Sequence, residues 1–289
     1  MILITILLIS SVSSIDVEVS VQCTTCVLVN KTCYNATYLL DLDAPFRNNI
    51  VITKIGILRS ENVLFYSFEP RIEDLEYYKI GFVNLDAPEK TGVINSPNYV
   101  MNFGSFDIDQ DRSLVYLGGN DGIFVLDTGS SQLLPYSSRG DPIESIFYKN
   151  NVYFVRYNDR GIVVKKGDYF KTILEYVPVN KFVIHKTDII VFMNSFGLFV
   201  GRDKTVYRVS KNPFFRGLTV DLDGEVYAWW IDGIYKVIVK WNLVDSKVVK
   251  IAHLPSIGAM AFDNKNNLLF TSNKALYRLV ETTYNCTLN

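Results

Sequence analysis

The stretch VYLGGNDGIFVLD, residues 115–127, is two apolar strands joined by a tight turn that ends on a glycine. Four more segments repeat the form: VYFVRYNDRGIVV at 152–164, IVFMNSFGLFV at 190–200, VYAWWIDGIY at 226–235 and LLFTSNKALY at 268–277. Gly122, Gly161, Gly197 and Gly233 open the second strand of four of the five units, and Ala275 takes that place in the last. A tight turn calls for positive φ or a close backbone approach, and glycine supplies both. An earlier segment, VLFY at 63–66, begins in the same way. It runs through an acidic insertion, Glu69 to Glu76, and resumes at Ile80-Gly81-Phe82.

A second periodic feature sets the phase of the repeat. Pro45, Pro97, Pro142, Pro178, Pro213 and Pro255 each precede the innermost strand of a unit, where a ladder cannot continue. Polar turns close several of those strands, at Asp107-Ile108-Asp109, Asp221-Leu222-Asp223 and Asp263-Asn264. Repeats of roughly 40 residues with four short strands apiece are the blade pattern of propellers. A helical solenoid needs apolar residues at i, i+3 and i+4, which these strands lack. The expected fold is therefore all-β, a six-bladed β-propeller, with a sandwich as the weaker alternative.

The segment ATYLLD, residues 36–41, stands where an outermost strand stands in later units, yet no unit precedes it. The sixth unit, in turn, nearly exhausts the chain after Leu279. The N-terminal strand is thus expected to complete the last blade and leave the ring without an open edge. The expected boundaries are a signal peptide at 1–14, a cysteine-containing N-terminal segment at 15–35 and the propeller at 36–289. MILITILLISSVSS at 1–14 is too short for a membrane span and carries small residues before a cleavage position at Ile15. The implied setting is secreted and extracellular. There Cys23, Cys26, Cys33 and Cys286 read as disulfides. Cys33 is the preferred partner of Cys286, and the alternative pairs Cys26 with Cys33 and Cys23 with Cys286. Sequons at Asn30, Asn35 and Asn285 surround the cysteines and suggest an exposed, glycosylated seam.

The 289 residues are 48% hydrophobic with a net charge of −1, so no basic field argues for nucleic acid or an acidic membrane. Function in a propeller gathers where inner strands begin and second-to-third-strand loops converge. On that rim the sequence places Arg47, Arg156, Tyr157, Asn194, Phe214, Arg216, Trp229 and Trp230 as ligand-binding candidates. Aromatics among amides and arginines suit a flat, polar aromatic molecule. Neighbouring strand residues face opposite ways, so one at most of Trp229 and Trp230 reaches the mouth. Catalytic signals are thin: His185 and His253 are the two histidines and share no ligand spacing. Asp121, Asp159 and Asp232 recur beside turn glycines and read as turn formers. Six-bladed lactonases hold a metal on Glu, Asn and Asp. Their opening Glu is absent here, where Arg47-Asn48-Asn49 stands, although Glu144 and nearby Asn residues offer oxygen ligands.

Residues 115–127, with KIGFVNLD at 79–86, resemble the ommochrome-binding protein family of insect haemolymph. Both segments look like that family's Asn-Leu-Asp strand followed by a Y-x-G-G-x-D-G-I string. The resemblance implies a secreted, non-enzymatic carrier of ommochromes, which are tryptophan-derived phenoxazinone pigments. The expected partner is a small aromatic ligand bound by a monomer, with no nucleic acid, membrane, metal or other cofactor. A metal-dependent lactonase or esterase-like hydrolase is the alternative. Docking of another protein through the acidic insertion is a third reading.

Overall fold

The computed structural model describes residues 27–30, 32–96 and 100–282. An N-terminal hairpin joins β1 (Val27–Val29) to β2 (Thr32–Asp41). Four antiparallel four-stranded sheets follow. The first holds β3 (Ile52–Leu58), β4 (Val63–Phe68), β5 (Lys79–Asn84) and β6 (Thr91–Val93). The second holds β7 (Phe103–Asp109), β8 (Leu114–Gly119), β9 (Gly122–Asp127) and β10 (Gln132–Ser137). The third holds β11 (Ile143–Lys149), β12 (Asn151–Arg156), β13 (Arg160–Lys166) and β14 (Tyr169–Pro178). The fourth holds β15 (Lys181–Ile184), β16 (Ile190–Asn194), β17 (Gly197–Arg202) and β18 (Thr205–Ser210). Then come β19 (Gly217–Val220), β20 (Val226–Trp230), β21 (Gly233–Ile238), β22 (Lys247–Ala252), β23 (Met260–Phe262), β24 (Leu268–Ser272) and β25 (Ala275–Glu281).

These last seven join the hairpin in one nine-stranded sheet of order β19-β20-β21-β22-β1-β2-β25-β24-β23. It contains two four-stranded meanders, the second completed by β2. The expected closing strand at 36–41 is longer than its sequence suggested, running from Thr32 and pairing Tyr34 with Glu281 through to Asp41 with Ala275. Beyond it β1 meets the outer strand β22 at Val29 and Ala252. The first strands of all these meanders, β3, β7, β11, β15, β19 and β23, pack each on the next, and β23 returns to β3. The result is an all-β, propeller-like ring.

Apolar clusters lie between neighbouring sheets, so second strands such as β4, β8 and β16 are buried on both faces; every residue of β16 is buried. Outer strands face water, and β10 carries Pro135 because its far edge needs no donor. Gly122 (φ +90°) and Gly233 (φ +149°) sit at the expected turns. A Cβ there would lie 2.4 Å from the Ser138 carbonyl oxygen and 2.0 Å from that of Ala252. The polar turns form as the sequence implied: the Asp221 carboxylate accepts from the backbone of Asp223 and Glu225, and that of Asp263 from Lys265 and Asn267. Pro142 and Pro178 adjoin their inner strands, and Pro178 is the last residue of β14. Pro97 lies outside the described residues, as do 1–26, Cys23, Cys26, Asn285 and Cys286. Asn30 and Asn35 are exposed, and Cys33 is no free thiol.

Candidate functional site

The inner strands begin on one face of the ring, and there a cavity of about 810 Å³ opens. Its walls come from the insertion (Glu69) and the two residues after it (Tyr77, Tyr78), from the residue before β7 (Asn102), from β11 (Glu144), and from two loops (Asn120, Tyr157). The cavity shares Thr53, Gly104, Glu144 and Lys181 with a narrow neck of about 60 Å³ beneath it. The neck in turn shares Lys54, Val183, Leu218 and Trp229 with a lower space of about 90 Å³ that reaches Arg59 and Gln110. Mouth, neck and lower space thus follow the ring axis.

The acidic insertion folds over the mouth and is tied down there. The Arg47 guanidinium meets Glu69 at 3.0 Å and donates to the Pro70 carbonyl at 3.2 Å. The Asn102 side-chain oxygen accepts from the backbone N–H of Tyr77 and Tyr78. Lys79 pairs with Asp74 and Glu76. Ile72 and Leu75 remain more than 80% exposed on its crest.

The eight rim residues singled out in the sequence divide by position. Arg47 and Tyr157 line the mouth. Trp229 lines the neck and lower space, its indole N–H donating to the Gly258 carbonyl at 3.0 Å. Trp230 turns away and stacks on exposed Phe214, with centroids 6.3 Å apart and planes 17° apart. Strand alternation thus parts the two tryptophans. The two further arginines are already engaged: Arg156 pairs with Asp141 at 2.8 Å, and Arg216 donates to the Ile257 carbonyl at 3.1 Å. Asn194 departs from the expectation. It is buried, its amide donates to the Pro178 carbonyl at 2.8 Å, and its oxygen accepts from Phe196 N–H at 2.8 Å. Both ends of that side chain serve the turn rather than the cavity. The turn aspartates behave as structural groups: Asp121 binds Arg139 and Gly140 N–H, and Asp232 binds Lys250 and Tyr235.

The charged groups of the neck are two lysines and one glutamate. The Lys54 ammonium donates to the Ile146 carbonyl at 3.3 Å and stands 3.9 Å from Asp107. Lys181 donates to the Arg216 carbonyl at 2.8 Å. Burial lowers the pKa of Lys54, partly offset by Asp107. Lys181 is lowered by burial and then by Lys54, against the pull of Glu144. Glu144 is raised by burial, with Lys181 opposing. Lys54 escaped the sequence reading, as did Tyr77 and Tyr78, which follow the insertion. A charged residue inside the apolar strand ITKIGIL was the available signal for Lys54.

No family model matches the chain. It is similar to the ommochrome-binding protein of Manduca sexta, 24% identical over 281 residues, covering 95% of this chain and 97% of that protein. Among solved structures, a gluconolactonase from Xanthomonas campestris matches with TM-score 0.62 at 12% identity, over 88% of this chain and 91% of that one. A virginiamycin B lyase from Staphylococcus aureus matches with TM-score 0.56 at 13% identity, over 85% and 88% of the two chains. These structural likenesses concern the fold. The metal-dependent hydrolase alternative needs a metal on the axis, and the donor set of the neck does not fit one. Two ammonium groups share the neck with a single carboxylate, and they repel a cation. Among the described residues no three His, Cys, Asp or Glu side chains gather as a metal site.

Proposed function

We propose that this protein is a secreted six-bladed β-propeller that carries a planar aromatic pigment or metabolite, an ommochrome or a close chemical relative, in its axial mouth. The observation that carries this reading is the mouth itself: about 810 Å³, walled by Tyr77, Tyr78 and Tyr157 and continuous with a cationic neck. Tyrosine faces and an apolar wall suit a flat ring system, and the few polar groups orient it. The end-to-end likeness to a pigment-binding protein supports the ligand class. The six-blade count is supported by the ring of first strands and by β2 completing the last meander.

Secretion is supported by the pattern of residues 1–14 and by exposed sequons at Asn30 and Asn35. No helix among the described residues is long and apolar enough to cross a membrane. A disulfide from Cys33 across the chain ends would tighten the closed ring by restricting the unfolded chain, by about 4–5 kcal/mol for so large a loop. Titration of xanthommatin into the purified protein, followed by tryptophan fluorescence, tests the carrier reading. Saturable one-to-one quenching at micromolar ligand is expected, and its absence refutes the pigment assignment. The hydrolase alternative keeps one supporting observation, the gluconolactonase fold likeness. Chelator-sensitive lactone hydrolysis would establish it.

A further inference from the structure

The neck holds opposite charges that do not close into an ion pair with each other. Glu144 makes no ion pair within 4.0 Å among the described residues, although Lys181 lines the same narrow space. Lys181 has one carbonyl as its hydrogen-bond acceptor; Lys54 has one carbonyl, a carboxylate at 3.9 Å and the Phe106 ring 5.4 Å from its ammonium. Each ammonium has three donors, so both lysines lining the neck keep hydrogen-bonding capacity beyond these partners. Groups held this way on one small space complement a ligand that brings both signs of charge. A simple carboxylate would satisfy the lysines and be repelled by Glu144. A simple amine would satisfy Glu144 and meet two ammonium groups. The neck is also much narrower than the mouth, at about 60 Å³ against about 810 Å³ above it.

We propose that the neck is a head-group subsite for an α-amino acid, its carboxylate between Lys54 and Lys181 and its ammonium on Glu144. The aromatic remainder then lies in the mouth against Tyr78 and Tyr157. This rests on the mouth being the ligand site, and it narrows the ligand class to aromatic molecules bearing an amino-acid side chain. Charge-assisted hydrogen bonds to a desolvated head group are the stronger kind, so each missing partner is expected to lower affinity at least about tenfold.

Three probes with one ring and different head groups provide the test: L-tryptophan, tryptamine and indole-3-propionate, each titrated by calorimetry into the full-length protein. L-Tryptophan is expected to bind at least about tenfold more tightly than either of the others. Glu144→Gln should erase its advantage over indole-3-propionate, and Lys181→Met its advantage over tryptamine. The wild-type comparison needs no variant, so a folding defect in either substitution leaves the test intact. Equal affinities for the three probes overturn the head-group subsite. So does the absence of binding by all three while xanthommatin still saturates the protein. If xanthommatin also fails to bind, the mouth reading falls with it.

Discussion

Replacing Gly217 by alanine places one methyl group against the aromatic wall of the channel. The added Cβ would lie 2.3 Å from both Cη2 and Cζ2 of Trp229 and 3.1 Å from Cε2. Ordinary carbon contacts lie at about 3.5–4.0 Å, so the ring must retreat by roughly 1.2–1.7 Å. It has little freedom to do so, being 2% exposed and bonded through its indole N–H to the Gly258 carbonyl. Overpacking of this kind costs about 1–3 kcal/mol. Loosening the hydrogen bond adds about 0.5–1.5 kcal/mol. The expected loss is therefore about 2–4 kcal/mol, a fall in Tm of roughly 4–16 °C for a domain of this size. Thermal unfolding by circular dichroism measures it, and a red shift of tryptophan emission reports the displaced indole. Gly217→Ala combined with Trp229→Phe should cost less than the two changes summed, with a coupling of about 1 kcal/mol or more. A Gly217→Ala protein within about 1 °C of wild type would refute the packing of Trp229 against this strand.

Closure by the N-terminal strand predicts that Leu276→Ala, fully buried opposite Leu40, loses about 2–5 kcal/mol in urea unfolding. A chain starting at Leu42 should fail to unfold cooperatively, and a wild-type midpoint for that truncation would contradict the closure. His185 is buried and its pKa is pushed below the ordinary 6.5, chiefly by burial. The unfolded chain therefore binds the proton more tightly. Stability is full above pH 6.5 and declines as pH falls towards the folded-state value, and His185→Asn should flatten that decline in Tm. Glu144 is displaced upwards from 4.5 by burial, so its ionised form destabilises the fold at neutral pH. Glu144→Gln should raise Tm at pH 7, with the gain vanishing as pH falls below 4.5. The same substitution weakens amino-acid binding, so stability and affinity move in opposite directions.

The ring was legible because two periodic features carry physical necessity. Gly122 and Gly233 stand where an outer-strand carbonyl approaches too closely for any side chain, while Pro178 ends the ladder of β14 and Pro142 stands just before β11. The closing strand was legible from its place before Pro45, but its reach back to Thr32 was hidden by the irregular cysteine-rich stretch. The site was less legible, for a reason of register. In β3 the pairing with β4 shifts between Ile52 and Lys54, and such a bulge re-aims every side chain beyond it. Alternation alone therefore could not tell that Lys54 lines the axis. The arginines pose a different problem. Arg47, Arg156 and Arg216 lie near the rim as expected, yet each is held by a carboxylate or carbonyl beside it. Nothing in the local sequence names those partners. Trp229 and Trp230 had to part, and the inward one, Trp229, packs over the bare backbone of Gly217, its cross-strand partner.

The position of xanthommatin in a crystal of the complex tests the carrier reading most directly. The pigment should lie in the axial mouth against Tyr78 and Tyr157, with its amino-acid end directed down at Lys54, Lys181 and Glu144. An empty mouth at saturating pigment, or a pigment seated elsewhere on the ring, would contradict it.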